Sequence, residues 1–295
     1  MRILLSGASG TVGSALAPAL QADGHQVVRL VRRPPAANEI LWHPVIPLDP
    51  AAVEGFDAVV HLAGESIAGR WTAAKKARIR TSRVQGTSIL AVALAKTKQR
   101  PRVLVSASAI GYYGDRGEEV LTESSPSGND FLAEVARGWE QATEPAAVAG
   151  IRVVVLRFGM ILSPKGGGLA KMLPAFRMGV GGRLGSGKQW WSWITIDDVV
   201  GAIQHALAIE ALRGPFNTVA PYPVTNAEFT STLGQVLSRP TIFPMPAFVI
   251  RLAFGEMGDA LLLASQRVDS GKLQSSGYRF RHGELKSGLA ELLRQ

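Results

Sequence analysis

Cysteine is absent from all 295 residues. Its absence excludes disulfides and thiolate metal sites. No apolar run approaches the roughly 20 residues that a membrane-spanning helix needs. The N-terminal MRILLSGASG is broken too early by Ser and Gly to serve as a signal peptide. A soluble, cytoplasmic protein is therefore expected. Only five histidines occur (25, 43, 61, 205 and 282), none with a ligand spacing such as H-E-x-x-H. No metal is expected, and His61, ending an apolar run, reads as a core residue. Two longer gaps matter later. There is no Tyr between Tyr113 and Tyr222, and no Lys between Lys98 and Lys165.

Negative charge is also scarce: 32 Lys and Arg against 23 Asp and Glu leave a net charge of +9. The basic residues are dispersed, as in Arg29, Arg32 and Arg33, Lys75 to Arg83, and Lys96 to Arg102. They do not alternate with aromatics, so neither nucleic acid nor membrane is an expected partner. A pocket for a phosphorylated small molecule accounts for some of them, and solvated helix faces for the rest.

What is present points to a sizeable core, with 46% apolar and 19% charged residues. Short apolar runs at 2–6, 26–31, 57–64, 101–108 and 151–159 alternate with helical periodicity at 10–24, 73–98 and 130–148. Pro18 stands inside the first helical stretch, where it removes a donor. This alternation predicts an α/β fold, a Rossmann-type doubly wound parallel sheet covered on both faces. A smaller C-terminal α/β substrate lobe is expected to follow. The Rossmann domain would take residues 1–165, with 196–220 returning to it. The lobe would take 166–195 and 221–295.

The first strand runs into Gly7-Ala8-Ser9-Gly10-Thr11-Val12-Gly13 at the mouth of a helix. Glycines let the backbone turn sharply and approach a pyrophosphate, and the helix end supplies N–H groups and partial positive charge. An ordinary glycine turn is the alternative. The second strand ends in Leu30-Val31-Arg32-Arg33, with no acid between Asp23 and Glu39. A site selecting the ribose 2′-OH usually has a carboxylate there, whereas arginine suits a 2′-phosphate. NADP is the expected cofactor, with Arg32 as its selector unless both arginines are plain surface charges.

GASGTVG, HLAG (61–64), SASAIGYYG (106–114), LRFGMIL (156–162), ITIDDVVGAI (194–203) and FNTVA (216–220) together resemble the extended short-chain dehydrogenase/reductase superfamily, which includes nucleotide-sugar epimerases. LAGESIAGRWTAAKKARIRTSR (62–83), GSGKQWWSWITIDD (185–198) and PMPAFVIRLAFGEM (244–257) resemble an atypical branch within it. Members of that branch carry a C-terminal extension and are labelled epimerase-family proteins or NADP-dependent oxidoreductases, sometimes cell-division-inhibitor-like. The resemblance implies that Gly7, Ser9, Gly10, Thr11, Val12 and Gly13 cradle the pyrophosphate and that Arg32 holds the adenosine phosphate. It further implies that Leu62, Ala63 and Gly64 pass along the nucleotide, that Arg83 reaches back to it, and that Ile161 lies near the nicotinamide.

In that superfamily a Ser at the fourth strand's end steadies the substrate oxygen. A Tyr on the next helix moves the proton, and a Lys one turn later lowers the Tyr pKa. Ser108 matches the Ser. Leu132 and Ala136 fall near the Tyr and Lys positions, within SPSGNDFLAEVARGWE (125–140), and neither moves a proton. The substitutes available are Tyr112, Tyr113 and Glu134, the last with Arg137 three residues on. The alternatives are loop packing for the tyrosines and a surface ion pair for Glu134. Lys188, Trp190 and Trp191, in a glycine-rich stretch, suggest a wall of the substrate pocket, although the tryptophans could be core. An enzyme acting on a small carbonyl, alcohol or sugar-like substrate is expected, with a non-catalytic NADP(H) sensor as the alternative.

Overall fold

The computed structural model describes residues 1–294. Along the chain, β1 (Arg2–Ser6) leads into α1 (Thr11–Ala22), followed by β2 (Gln26–Val31), β3 (Glu39–Leu41) and β4 (Ala58–His61). Next come α2 (Ala73–Arg80), a π-turn (Thr81–Gln85), α3 (Gly86–Ala95), β5 (Val103–Ala109) and the two-residue β6 (Val120–Leu121). The chain continues through α4 (Phe131–Gln141), α5 (Glu144–Val148), β7 (Arg152–Phe158), β8 (Met160–Leu162) and α6 (Gly167–Arg177). Then follow β9 (Trp190–Trp191), β10 (Trp193–Thr195), α7 (Ile196–Ala208), β11 (Gly214–Thr218), β12 (Val224–Thr225), α8 (Asn226–Leu237) and α9 (Ala247–Phe254). The C-terminal segment adds β13 (Arg267–Val268) and a last helix, Leu285–Arg294.

Seven strands form one sheet in the order β11-β7-β5-β4-β1-β2-β3, and every pair in it is parallel. This is the doubly wound, Rossmann-like sheet that the alternating pattern predicts. Both faces are covered. On one, Leu16 and Leu20 of α1 and Val199, Ile203 and Leu207 of α7 pack on Ile3, Leu5, Val105 and Leu156. On the other, Leu90 and Leu94 of α3, with Trp42 and Phe56, cover Leu4, Val28, Val59 and Leu104. A separate cluster joins α6 and α8 to the last helix through Leu173, Phe176, Trp191, Trp193, Phe229 and Leu289. No helix among the described residues is long and apolar enough to cross a membrane.

Three local features depart from the sequence pattern. β3 is a half-buried three-residue edge strand, too short to show a period. The helical stretch 130–148 is two helices, broken at Ala142 and Thr143, with Pro145 in the first turn of the second, where proline is tolerated. The stretch 73–98 ends at Ala95 and contains the π-turn at 81–85. Pro18 does not break α1. It is exposed, so water can satisfy the carbonyl it leaves without a donor.

Candidate functional site

The direction of winding reverses between β1 and β4, which lie side by side at the centre of the sheet. The crevice at their carboxyl ends is where such folds bind ligands. The glycine loop follows β1, and Leu62-Ala63-Gly64 follows β4. Gly7 adopts φ +72°, and a Cβ there would stand 2.7 Å from the Leu62 carbonyl carbon. A side chain at Gly13 would overlap the Gly7 carbonyl. Both crossings therefore need glycine.

Ser6 ties the two loops together. Its Oγ accepts from the Leu62 and Ala63 N–H groups at 3.1 and 3.2 Å. Its own proton must then go to His61 Nδ1, 2.7 Å away, so His61 Nε2–H donates to Thr87 Oγ1 at 2.9 Å. Burial pushes the His61 pKa down to about 4. The ring is neutral near pH 7, a satisfied core residue beneath the loop.

Several donors and one cation here have no hydrogen-bond or ion-pair partner among the described residues. Gly10 caps α1 with no side-chain hydrogen bond, and the first turn contains no acid. The leading N–H groups of a 12-residue helix thus point at the crevice with their share of the helix dipole. Arg33 is bound to Glu39 at 2.7 Å, whereas Arg32 is exposed and has no ion pair among the described residues. Glu39 therefore neutralises one arginine of the pair, while the charge of Arg32 acts only at longer range, on Glu65. Arg83, carried on the π-turn, places its guanidinium carbon 3.1 Å from where a Cβ at Gly64 would stand. It donates to the Glu65 carbonyl at 2.9 Å and lies 5.0 Å from the centre of the Trp139 ring. Burial lowers its pKa to about 10, so it remains a cation at neutral pH. Ile161 is half-buried on β8, paired with Ile194. An uncapped helix end, a crossing that only glycine permits and an unpaired arginine fit a phosphorylated dinucleotide.

The region after β5 is built differently. Ser108 is 2% exposed and donates to Glu140 Oε1 at 2.7 Å. Arg157 grips the same carboxylate with two hydrogen bonds of 2.8 Å and donates to the Tyr113 hydroxyl at 2.9 Å. The Tyr113 hydroxyl donates to Asn217 Oδ1 at 2.6 Å. Burial alone would lower the Arg157 pKa, but the bonds and charge of Glu140 outweigh it and raise it. Burial pushes the Tyr113 phenol up to about 12, against the pull of Arg157. Tyr113 has no exposed surface, so it is a buried strut, not an accessible proton donor. Tyr112 is half-buried. Its ring lies 3.6 Å from the Arg157 guanidinium carbon, and its hydroxyl bonds to no described residue.

The Glu134–Arg137 pairing expected from their spacing does not form. Glu134 is exposed and binds Arg80 of α2 at 2.9 Å, while Arg137 donates to Ser127 Oγ and to the Gly128 carbonyl. The Arg80 bond holds the Glu134 carboxyl below its ordinary value, so Glu134 is ionised at neutral pH and has no proton to give. In the glycine-rich stretch, Trp191 packs edge-on against Phe229 in the lobe core and does not line a pocket wall. Lys188 is exposed and Trp190 half-buried. A groove of about 350 Å³ lined by Arg183, Thr230, Ser231 and Thr241 opens on the lobe surface, not at the glycine loop.

Sequence reasoning missed Glu140, Arg157 and Asn217. Arg157 leaves a readable trace, a charge inside the buried run VVVLRF; Glu140 and Asn217 look like ordinary surface residues until the fold joins them.

Residues 3–227 match the NAD dependent epimerase/dehydratase family, and 245–292 match a domain of unknown function, DUF1731. The chain is 44% identical over 290 residues to epimerase family protein Mb2239 of Mycobacterium bovis, covering 97% of this chain and 96% of that one. It is 37% identical over 300 residues to human epimerase family protein SDR39U1, covering 99% and 100%. The crystal structure of human SDR39U1 (isoform 2) with NADPH superposes with a TM-score of 0.93 at 35% identity, covering 100% of this chain and 99% of that one.

Proposed function

The chain belongs to the NAD dependent epimerase/dehydratase family, and from that premise we propose that it is an NADP(H)-dependent oxidoreductase or epimerase-like protein. Its substrate is a small carbonyl, alcohol or sugar-like molecule. One observation carries the reading: the N-terminus of α1 has no side-chain cap and no acid in its first turn, and Arg32, directly after the neighbouring β2, is exposed with no ion pair among the described residues. The relative crystallised with NADPH supports the same choice of cofactor.

The α1 N–H groups and the glycine loop hold the pyrophosphate, and Arg32 holds the 2′-phosphate. When bound, the nicotinamide supplies or accepts a hydride. The chain must then handle a proton without the usual Tyr and Lys. Tyr112 is the phenol after β5 whose hydroxyl no described residue occupies, and Arg157 places a permanent cation against its ring. Tyr112 exchanges the proton with the substrate oxygen. Glu140 and Arg157 fix the local geometry, and Ser108 is locked to Glu140.

Replacing Tyr112 with Phe should leave NADPH affinity within about twofold and lower turnover by roughly 10²–10⁴-fold. The assay is NADPH oxidation across carbonyl and nucleotide-sugar panels. A variant as fast as the wild type would remove Tyr112 from the chemistry. Tight NADPH binding by the wild type with no turnover on any panel member would favour a second reading, a non-catalytic NADP(H) sensor. That reading draws on the internal commitment of the Ser108 and Tyr113 hydroxyls.

A further inference from the structure

The C-terminal segment that matches a domain of unknown function reaches the same end of the sheet. Residues 265–268 are stitched between two neighbours. On one side, Ser265 N–H donates to Asp115 Oδ1 at 3.0 Å, and Gln266 Nε2 donates to the Gly114 carbonyl at 3.0 Å. Both acceptors lie in the loop that follows β5. On the other side, Gln266 N–H donates to the Trp190 carbonyl, and Val268 N–H donates to Ser192 Oγ. The Ser192 carbonyl accepts in turn from Met160 N–H at the start of β8. Arg267, which also pairs with Val120 of β6, is therefore fixed between the loop that follows β5 and the 190–192 stretch that bonds to the start of β8, directly after β7; β5 and β7 carry Ser108 and Arg157.

Its side chain stands out among the cations of this segment. Arg251, Lys272, Arg279, Arg281 and Lys286 are exposed, whereas Arg267 is half-buried. Its guanidinium carbon lies 4.4 Å from the centre of the Trp190 ring. Among the described residues the guanidinium has no ion pair and no hydrogen bond. Stacking on an indole holds its plane and leaves the N–H edges free. A partly desolvated guanidinium without an acceptor is costly unless a ligand supplies one, and its fork matches two oxygens of a phosphate or carboxylate.

We propose that Arg267, held over Trp190 by the C-terminal segment, is the anion-recognition residue of the substrate site and takes a phosphate or carboxylate group of the substrate. This rests on the reading that substrate binds at the β5 and β7 ends. The segment of unknown function would then have a task, which is to select charged substrates for the cofactor domain.

The test uses the full chain saturated with NADPH, so that the 2′-phosphate site is filled. Inorganic phosphate and malonate are titrated in separate arms by calorimetry, at constant ionic strength made up with chloride. Saturable binding in one arm is expected, and it identifies the anion class. Arg267→Gln should weaken that binding at least tenfold, and Arg267→Lys should fall between, since a point charge replaces a fork. NADPH affinity and melting temperature should not change in either variant. Equal anion binding by wild type and Arg267→Gln, or no saturable binding of either anion to the wild type, would overturn the proposal. NADPH affinity is measured on its own, so failure of the cofactor reading would show there and not in the anion arms.

Discussion

The two halves of the site differ in how their polar groups are satisfied. Around the glycine loop, the leading α1 N–H groups have no side-chain cap, and Arg32 has no hydrogen bond or ion pair among the described residues. After β5, Ser108, Glu140, Arg157, Tyr113 and Asn217 satisfy one another within a few ångströms. Open valences in a well-packed fold mark the place that a ligand completes. A closed network marks a part whose shape is settled before any ligand arrives. Of the residues expected to do the chemistry, Ser108 and Tyr113 lie in the closed half, and the neighbouring groups still open are Tyr112 and Arg267.

The comparison can be broken most forcefully from the closed side. Arg157→Met removes the partner of a carboxylate that is only 15% exposed. Leaving that charge unpaired should cost about 3–5 kcal/mol in chemical denaturation. A loss within the error of the measurement would mean that the network is not what settles the region. Beneath the open half, His61 sets an acid limit. Its folded pKa of about 4 lies below the ordinary 6.5, so the unfolded chain binds the extra proton first. Stability should therefore be complete above pH 6.5 and decline as pH falls toward 4, by up to about 3 kcal/mol. His61→Gln should flatten that part of the pH–stability curve, and an unchanged curve would assign the decline to other groups. Arg32→Ala should weaken NADPH roughly 10- to 100-fold, the worth of a charge-assisted hydrogen bond, and leave NADH affinity nearly unchanged. If the preference for NADPH survives, the 2′-phosphate is held elsewhere. The smallest effect belongs to Glu134→Gln, which should leave melting temperature, NADPH affinity and turnover as they are. A drop in turnover would return Glu134 to the chemistry.

The open half could be read from the sequence because it is local. Seven consecutive residues, Gly7 to Gly13, specify the loop, and Arg32 directly follows the very next strand. The closed half joins residues 108, 113, 140, 157 and 217, drawn from three strands, a strand-end turn and a helix. Spacing along the chain carries no record of that meeting. The same reason explains Glu134. Its helical neighbour at Arg137 is visible in the sequence, but its partner Arg80 arrives from another helix. β3 escaped because an edge strand needs only three residues and shows no alternation, and the single helix expected over 130–148 overlooked Pro145, which stands in the first turn of α5.

The π-turn at Thr81–Gln85 has a consequence for the whole helical stretch around it. A residue surplus to the α-helical repeat does not lengthen the rod so much as re-index it, turning what lies on either side by about 100°. α3 keeps Leu90 and Leu94 on the sheet, while α2 aims Lys75 and Lys76 at Glu65 and Glu256. The two helices work like a key with two bits cut at different angles, and Arg83 sits on the shank between them. Deleting a single residue there would act as a rotation: one bit would still engage while the other, and the arginine with it, turned out of the lock.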